Sequence, residues 1–468
     1  MIENPNAVTR REMLRAGTAG FGSLALAALL GSETRADVDP LASRQPHYAA
    51  KAKRVIFLFM HGGPSHVDTF DHKPQLTKDN GKPLPFDKPR VFSAQTGNLL
   101  ASPWTFRQHG QSGAWVSEVF PHVATRVDDL CIINSMYGSN SRHGGALLEL
   151  HTGSDTFVRP SMGSWITYGL GTENQDLPAY ITICPTLTHG GVNAYSSAFL
   201  PADFQGTPIG NASIPAEKAV FPFINNADKT PRELQRMELD LLGEINRERL
   251  GQTGPDAALE GRINSFELAF RMQTAAPGLQ DISDETEATQ RAYGLDDPVT
   301  ANFGRQCLMA RRFAEEGVRF VQATHSYKWD QHSNLRKGLA RNAQEVDQPI
   351  AALLKDLKER GLLDETLVLW GGEFGRTPVS QGGADGRDHN PQGYTMWMAG
   401  GGIKGGLSYG LTDEYGYYAV SNKVHIHDLH ATILHLLGFD HTRLTYRFAG
   451  RDFRLTDLFG EVVDGILA

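Results

Sequence analysis

Short apolar runs that alternate with helix-period segments constrain the fold of this chain more than any other feature. A strand that is buried on both faces reads as a continuous apolar run. Six such runs occupy residues 53–60, 130–134, 179–184, 318–323, 366–370 and 394–399. Helical periodicity covers residues 161–169, 303–316, 335–360 and 428–437. This alternation predicts an α/β fold in which a doubly wound sheet is flanked by helices.

The segment from residue 195 to residue 300 departs from this pattern. It contains charged, amphipathic helical stretches and no apolar run typical of a buried strand. We therefore expect a helical insertion at 195–300 within an α/β domain built from residues 53–194 and 301–468. Residues 37–52 are polar and contain a proline, which predicts a linker.

The N-terminus carries the pattern of an export signal. The sequence TRREMLR at residues 9–15 is a twin-arginine motif, and an uncharged stretch rich in Ala, Gly and Leu follows at residues 16–32. That stretch is shorter than the about 20 apolar residues that a membrane-spanning helix needs. We predict that residues 1–36 form a Tat signal peptide, with Ala36 at the end of the cleavage site. The alternative is a chance Arg-Arg pair before an apolar helix.

This interpretation carries further expectations. We expect the Tat translocase to be a partner during export, and we expect the exported protein to be periplasmic or otherwise extracytoplasmic. No transmembrane span is expected beyond the signal segment. The overall charge excludes another class of partner: 45 Lys and Arg against 53 Asp and Glu give −8 with no basic stripe. Nucleic-acid binding driven by phosphate neutralisation is therefore not expected.

Polar, chemistry-bearing side chains follow several of the predicted strands. Ligands of open α/β sheets bind in the crevice at the carboxyl ends of the strands. His, Asp and Glu together suit a transition metal such as Zn or Mn, whereas an all-oxygen set would favour Ca. We predict one or two divalent ions bound by His61, Asp330, His332, Glu373 and His389, with His66, Asp68 and Asp388 as second choices. For each residue alone, the alternative is a hydrogen-bonded loop residue.

A serine-rich segment precedes a predicted helix at residues 145–150. Ser141 would lie where helix amides and the helix dipole favour an anion, which suits a nucleophile that attacks a phosphate. Arg142 and His143 are expected to hold substrate oxygens in the catalytic site, and Asn140 and Arg376 are expected to bind substrate. The alternatives are helix capping by Ser139 or Ser141 and a surface salt bridge for Arg376.

The densest run of histidines lies near the C-terminus, at residues 425, 427, 430, 435 and 441. Residues 428–438 read as an amphipathic helix that ends at a glycine. His430 and His435 are five residues apart and do not share a helix face well. We expect packed or solvated histidines here, with His427 beside Asp428 as the one exception.

An ordered set of motifs resembles a known family. The segments HGGPSHVDTFD, SRHGG, WDQHSN, GGEFGRTP, GRDHNP and HDLHATILHLLG together resemble an uncharacterised exported bacterial family, the domain of unknown function 1501. The resemblance covers essentially the whole chain after the signal segment. That family looks related to the alkaline phosphatase and sulfatase superfamily. The relation implies a central mixed sheet flanked by helices, with metal ions at the strand ends.

The superfamily pattern carries over only in part. His61 stands where the superfamily usually has a metal-binding Asp. Glu373 keeps a carboxylate where Asp-His-Gly is usual, but Phe374 cannot bind a metal. Asp330 and His332 resemble the superfamily's Asp and His pair at a shorter spacing, and His389 resembles its last metal histidine. Sulfatases that use formylglycine need a Cys-x-Pro-Ser-Arg segment, and none of the three cysteines fits it.

These observations predict an exported, metal-dependent hydrolase of phosphate or sulfate esters that does not use formylglycine. Its expected substrate is a small anionic ester or a sulfated glycan. The alternative is a degenerate, non-catalytic binding protein for sulfated or phosphorylated glycans. A third interpretation is an envelope scaffold that needs no ligand.

Overall fold

The computed structural model describes residues 39–87, 96–222, 224, 230–254, 256–381 and 385–468. The predicted signal peptide, residues 1–36, and the first two residues of the predicted linker lie outside these ranges. Among the described residues, no helix combines the length and apolar character that crossing a membrane requires.

The strands of the described residues are short and mostly buried near the centre of the protein. In chain order they are β1 (Arg54–Met60), β2 (Thr96–Leu99), β3 (Phe106–His109), β4 (Ala114–Ser117), β5 (Leu130–Tyr137), β6 (Tyr180–Ile183), β7 (Thr207–Ile209), β8 (Phe320–His325), β9 (Thr366–Gly371), β10 (Gly375–Gln381), β11 (Arg387–Asn390), β12 (Tyr394–Ala399), β13 (Leu407–Tyr409), β14 (Leu411–Thr412), β15 (Ala419–Ser421), β16 (Val424–His425), β17 (Tyr446–Phe448) and β18 (Arg451–Phe453).

The α-helices of the described residues vary widely in length. They are α1 (Pro74–Lys78), α2 (His143–Thr152), α3 (Met162–Leu170), α4 (Arg232–Thr253), α5 (Ala257–Gln280), α6 (Glu287–Ala292), α7 (Ala301–Glu315), α8 (Leu335–Glu359) and α9 (Ile426–Leu436).

A nine-stranded sheet forms the centre of the protein. Its order is β13-β5-β12-β9-β1-β8-β6-β7, and β16 also pairs with β5. β12 runs antiparallel to β5 and β9, whereas the other pairs are parallel. The predicted class, α/β with a central mixed sheet flanked by helices, is therefore confirmed. Because β5, β9, β1, β8 and β6 point the same way, their carboxyl ends lie at one edge of the sheet.

β1 shows how the sheet separates two apolar cores. All seven of its residues are buried. Successive side chains of a strand point to opposite faces. Ile56, Leu58 and Met60 accordingly join one core, with residues of α7 and α8, and Val55, Phe57 and Phe59 join the other, with residues of α2, α3 and α9. Burial on both faces explains the continuous apolar run of the sequence.

The structure departs from the sequence predictions in two places. β7 lies inside the segment predicted as a purely helical insertion, yet it pairs with β6 at the edge of the central sheet. Its three residues include a proline and do not form an apolar run, so the sequence pattern does not predict this strand. β10 and β11 form a separate small sheet with β2, at segments where the apolar runs of the sequence predict no strand. Their sequences, GRTPVSQ and RDHN, are polar and lack the apolar pattern of a buried strand. Both strands are nonetheless buried for most of their length.

Candidate metal centre

The polar residues at the strand ends come from separate parts of the chain. His61 directly follows β1, His143 begins α2 beyond β5, and Glu373 follows β9. The loop after β8 carries Asp330 and His332, and His389 lies on β11. Since the parallel strands end at one edge, these side chains lie within reach of one another.

One oxygen atom lies at the centre of this arrangement. Asp330 Oδ1 lies 2.9 Å from His332 Nε2, 3.2 Å from His389 Nε2 and 3.3 Å from His143 Nε2. Arg376 Nη2 donates to the same oxygen at 2.6 Å. An oxygen of a carboxylate offers about two lone pairs, so Oδ1 cannot accept four hydrogen bonds. The structure thus gathers more nitrogen atoms around Oδ1 than hydrogen bonding can satisfy.

The hydrogen bonds of the three imidazoles determine which nitrogen is bare. In each ring Nδ1 faces an acceptor: the Glu373 carboxylate for His143 at 2.6 Å, the Ser141 carbonyl for His389 at 2.7 Å, and the side-chain carbonyl of Gln381 for His332. Each Nδ1 therefore carries the proton in the neutral ring, as inferred from its partner. The three Nε2 atoms are left with lone pairs that point at Asp330.

A lone pair that faces a carboxylate needs a positive charge between the two atoms. Three separate protons would bring three imidazolium ions and Arg376 together, and their mutual repulsion disfavours that state. A single divalent cation satisfies all three nitrogens and the oxygen at once. Histidines that bind metals almost always donate their other N–H to a carboxylate or carbonyl, and all three do so here.

The donor set fits a borderline transition metal. Three nitrogens and one carboxylate oxygen are the ligands that Zn²⁺ takes in four-coordinate sites. In such a tetrahedron, bonds of about 2.0–2.1 Å separate neighbouring ligand atoms by about 3.3 Å. The distances from Asp330 Oδ1 agree with that separation. The four residues His143, Asp330, His332 and His389 offer ligand atoms that all lie within 4.8 Å of one another.

The local charges also suit a divalent ion. Glu373 lies behind His143, and Asp388 Oδ1 lies 4.0 Å from His332 Nδ1. With Asp330 they provide three carboxylates against the single guanidinium of Arg376. Two negative charges remain, which a divalent cation would balance.

The pKa of Asp330 reflects these neighbours. Burial by itself raises the pKa, but the contacts with His143, His332 and His389 and the charge of Arg376 lower it more strongly. The pKa consequently lies far below its usual range, and the carboxylate stays ionised as a ligand must.

The loop that carries Asp330 is fixed by close backbone packing. Trp329, which is fully buried, donates from its indole N–H to His325 Nδ1 at 2.9 Å. Gly62 lies directly beneath with a φ of 118°, and a Cβ there would come within 2.7 Å of the Asp330 amide nitrogen. Only glycine accepts both that backbone conformation and that approach. The first His-Gly-Gly sequence thereby positions the central ligand.

Arg376 fixes the position of the Asp330 carboxylate through a hydrogen bond. Its guanidinium is fully buried and donates to Asp330, to the Gly63 carbonyl at 3.0 Å, to the Gly62 carbonyl and to the Arg387 carbonyl at 3.3 Å. The predicted contact of Arg376 with substrate, and the alternative of a surface salt bridge, are both corrected to this buried positioning role. This fully buried side chain uses four of its five N–H donors in these contacts, so it is not exposed to an open cleft.

Glu373, predicted as a metal ligand, contacts the His143 ring and does not take part in the cluster around Asp330 Oδ1. Its carboxylate accepts from His143 Nδ1 and from the Gly62 amide at 3.0 and 3.1 Å. Burial raises its pKa, but the hydrogen bond from His143 and the charges of nearby histidines bring it down to about 2. Glu373 therefore orients the His143 ring and supplies charge behind it.

The remaining predicted ligands have other partners. His66 Nε2 lies 2.7 Å from the Gly416 carbonyl. Asp68 forms a fully buried, bidentate ion pair with Arg387 at 2.7 and 3.0 Å. These two second choices serve the fold around β11. His61 lies beside His143, with a ring-to-ring distance of 6.1 Å, and does not contact Asp330.

The segment before α2 reaches the centre through its backbone. The Ser141 carbonyl accepts from His389, while Asn140 accepts from the Arg142 amide and donates to Asp155. The N-cap residue of α2 is Arg142, and no side chain caps the helix. The expected helix thus begins two residues earlier than predicted, at His143, and neither Ser139 nor Ser141 caps it. His143, expected to hold substrate, points its Nε2 at Asp330 with the other two histidines.

One histidine of this region escaped the sequence prediction. His189 follows β6, and its ring centroid lies 4.8 Å from that of His143 and 5.6 Å from that of His61. A signal for it existed, because the chain has three His-Gly-Gly triplets, at residues 61–63, 143–145 and 189–191. The structure brings all three triplets to the same edge of the sheet.

The chain is similar to several solved structures and to one protein family. Among curated proteins, none matches this sequence. The lipoteichoic acid synthase LtaP from Listeria monocytogenes is similar at 10% identity and a TM-score of 0.36, covering 91% of this chain and 80% of its own. The PsFucS1 sulfatase from Pseudoalteromonas sp. is 14% identical with a TM-score of 0.37, covering 100% and 79%.

An alkaline phosphatase from the Antarctic bacterium TAB5 is similar at 10% identity and a TM-score of 0.33, covering 83% of this chain and 98% of that one. Similarities at this level carry no information about activity or substrate. The family comparison is more extensive, because the model described as protein of unknown function (DUF1501) matches residues 52–467. This match includes the motifs that carry the candidate metal ligands, and the chain therefore belongs to the DUF1501 family.

Proposed function

We propose that the protein is an exported, metal-dependent hydrolase of phosphate or sulfate esters. One observation carries the proposal: three histidines, each with Nδ1 engaged by an acceptor, direct Nε2 at a single oxygen of Asp330. Zn or Mn suits this set of ligands better than Ca, which prefers oxygen. The resemblance of the motifs to the alkaline phosphatase and sulfatase superfamily supports the same reaction class.

In this mechanism the chain's own residues bind and orient the reactants. The bound cation would supply Lewis-acid polarisation of an ester oxygen. Asp330, His143, His332 and His389 hold it, and Glu373 keeps the His143 ring in the orientation that leaves Nε2 bare.

Ser141 is the proposed nucleophile of a covalent version of the reaction. It lies two residues before the first residue of α2, where helix amides favour an anion. Its carbonyl binds His389, so the nucleophile's segment is tied to the metal centre. Arg142, an exposed residue at the N-cap, would bind the anionic oxygens of the substrate. An attacking water in place of Ser141 is the non-covalent version.

The cysteines support the exclusion of formylglycine chemistry. All three are buried and free. Burial raises the pKa of Cys131 and of Cys184 to about 12. Such thiols are inert, and none begins the segment that the modification needs.

Removal and restoration of the metal would test the proposal. Protein purified after native export is analysed for bound elements, treated with a chelator, and assayed on a panel of aryl phosphates and sulfates before and after Zn²⁺ or Mn²⁺ is restored. We expect turnover that disappears with the metal and returns with it. Ser141→Ala distinguishes the two versions, because only the covalent one loses turnover. Absence of both bound metal and turnover in the native protein would refute the hydrolase.

One observation favours a second candidate, the non-catalytic binding protein for sulfated or phosphorylated glycans. Phe374 is buried, and its ring stacks on His389 at 4.5 Å and lies 4.9 Å from His143. It occupies space beside the centre with a side chain that binds no metal. Metal-loaded protein that turns over no ester of the panel but binds sulfated glycans saturably would favour this candidate.

Export by the twin-arginine route is part of the proposal. It rests on the motif at residues 9–15, which lies outside the described residues. Replacement of Arg10 and Arg11 together by Lys should hold the protein in the cytoplasm, as measured by cell fractionation. Unchanged export of this variant would contradict the Tat route.

A further inference from the structure

The three His-Gly-Gly triplets converge on a space beside the metal centre. His61 follows β1, His143 begins α2 and His189 follows β6, three separate segments of the chain. One ring nitrogen of each of the three lies within 4.8 Å of those of the other two. Only His143 of these three is a ligand of the centre described above.

His61 has polar atoms with no use in the fold. Its ring is fully buried, and neither Nδ1 nor Nε2 has a hydrogen-bond partner among the described residues. The ring stacks on Phe59 on one side and lies 4.8 Å from Tyr327, with His143 and His189 nearby. A buried polar group without a partner destabilises a fold. Two such atoms on one side chain indicate a ligand that the fold is built to receive.

His189 repeats this feature at one of its two ring nitrogens. Its Nδ1 is buried and has no partner among the described residues. The residue has a φ of 54°, in the left-handed region, where histidine is found more often than most residues. Gly190 and Gly191 continue the turn with φ of 133° and 45°. The loop thus holds the imidazole against His143 rather than letting it point into solvent.

A buried carboxylate offsets the charge that this set of neutral nitrogens would receive. Glu373 contacts His143 Nδ1 at 2.6 Å and acts electrostatically on His61 and His189 as well. Imidazole nitrogens without a carboxylate among them suit Zn²⁺ and its neighbours in the transition series rather than Ca²⁺ or Mg²⁺.

We propose that His61, His143 and His189 form a second transition-metal site, next to the centre on Asp330. His143 has one bare nitrogen, because Nδ1 donates to Glu373, so it serves one ion at a time. When both ions are present, Asp330, His332 and His389 retain the first, and the second takes the three triplet histidines. The inference deepens the proposed function, on which its catalytic relevance rests, but two of its three ligands are not used by the first centre.

Cobalt provides a probe that reports on each site. Metal-free full-length protein is titrated with Co²⁺, followed by its visible absorption, and bound cobalt is counted after dialysis. The variants are His189→Asn, which tolerates the positive φ, and Asp330→Asn. His122→Asn is the matched control, because His122 is exposed and lies outside both clusters. We expect two equivalents of cobalt in the unaltered protein and in the control, and one equivalent in each of the other variants.

The outcomes separate this inference from the proposed function. A single equivalent that Asp330→Asn abolishes and His189→Asn leaves unchanged overturns the second site and leaves the first intact. An equivalent lost only in His189→Asn supports the second site and contradicts the centre on Asp330. A circular dichroism spectrum and melting temperature equal to those of the unaltered protein verify that His189→Asn remains folded.

Discussion

Two histidine-rich regions of this protein use their rings in opposite ways. The C-terminal region between residues 425 and 441 holds five histidines close together in sequence. There His430 Nε2 donates to the Leu150 carbonyl at 2.8 Å, and His441 Nδ1 lies 2.9 Å from the Thr456 hydroxyl. His435 Nδ1 lies 2.8 Å from the Tyr48 hydroxyl. These nitrogens hold segments of the fold together.

The metal centre collects its histidines from distant segments. Each of His143, His332 and His389 engages one nitrogen with an acceptor and leaves the other to converge on Asp330. Convergence of bare nitrogens from distant segments, not density along the chain, therefore distinguishes the candidate metal centre from the structural cluster.

Among the described residues, two histidines of the C-terminal region, His425 and His427, form with Glu149 of α2 a set that resembles a metal site. His425 Nδ1 accepts from the His427 amide at 3.2 Å and so caps α9. Its Nε2 then carries the proton and points at Glu149, 3.4 Å away. A protonated nitrogen facing a carboxylate needs no cation. The geometry of ligand atoms is thus similar in the two regions, while the position of the proton differs.

Loss of the central carboxylate is expected to have the largest effect. Asp330→Asn removes the only charged ligand of the candidate centre, so the ion of that centre and the turnover should be lost together, whatever ion the second proposed site retains. Metal assistance is worth several kcal/mol, which corresponds to a fall in turnover of about 10³-fold. His435→Asn in the C-terminal region serves as the control and should retain both. Elemental analysis and ester hydrolysis measure the outcome. Full metal content in Asp330→Asn would contradict the claim that the region around Asp330 binds metal and the C-terminal region does not.

Glu373→Gln should have a smaller effect, because the residue orients a ligand and is not one itself. Loss of such an orienting partner lowers metal affinity by about 10–100-fold. Competition with a chelator of known affinity measures the shift. A loss as complete as that of Asp330→Asn would instead make Glu373 a direct ligand.

A pair of alanine variants should separate stability from metal binding. His430→Ala leaves a cavity and the Leu150 carbonyl unpaired, which should lower the free energy of unfolding by about 2–4 kcal/mol without loss of metal. His332→Ala, whose side chain is 31% exposed, should release metal with little effect on the stability of the metal-free protein. Denaturant unfolding and metal analysis test both. Loss of metal in His430→Ala, or a large loss of stability in metal-free His332→Ala, would contradict the separate roles of the two regions.

The smallest expected effect is a change in the acid sensitivity of folding. Burial, followed by the charge of His427, lowers the pKa of His430 from 6.5 to about 3. Below pH 6.5 the unfolded chain binds a proton that the folded protein does not, so stability falls as the pH falls toward 3. His430→Gln should flatten this slope by roughly 1–2 kcal/mol per pH unit. Unfolding measured between pH 4 and 7 tests it, and an unchanged slope would assign the acid sensitivity to other groups.

Much of the sheet could be predicted because its signal is local. The run from 130 to 134 lies within the observed β5 (Leu130–Tyr137), and the runs that predict β1, β9 and β12 match them to within one residue. Strands that are buried on both faces need apolar residues at every position, so they appear in the sequence as continuous apolar runs. β10 and β11 lack such runs, because their buried side chains Arg376 and Arg387 are polar and find ionic or carbonyl partners elsewhere.

The sequence by itself determined that the chain folds into an α/β sheet and that His, Asp and Glu residues follow its strands. It also determined the family, through motifs spread along almost the whole chain. Only the tertiary structure decided which of those residues meet and which nitrogen of each ring is bare. It brought the His143 ring to Asp330 with His332 and His389, placed Arg376 and Glu373 behind them, and brought His189 beside His61. The reason is physical: a hydrogen-bond partner fixes the proton of an imidazole, and such partners lie far away in the chain.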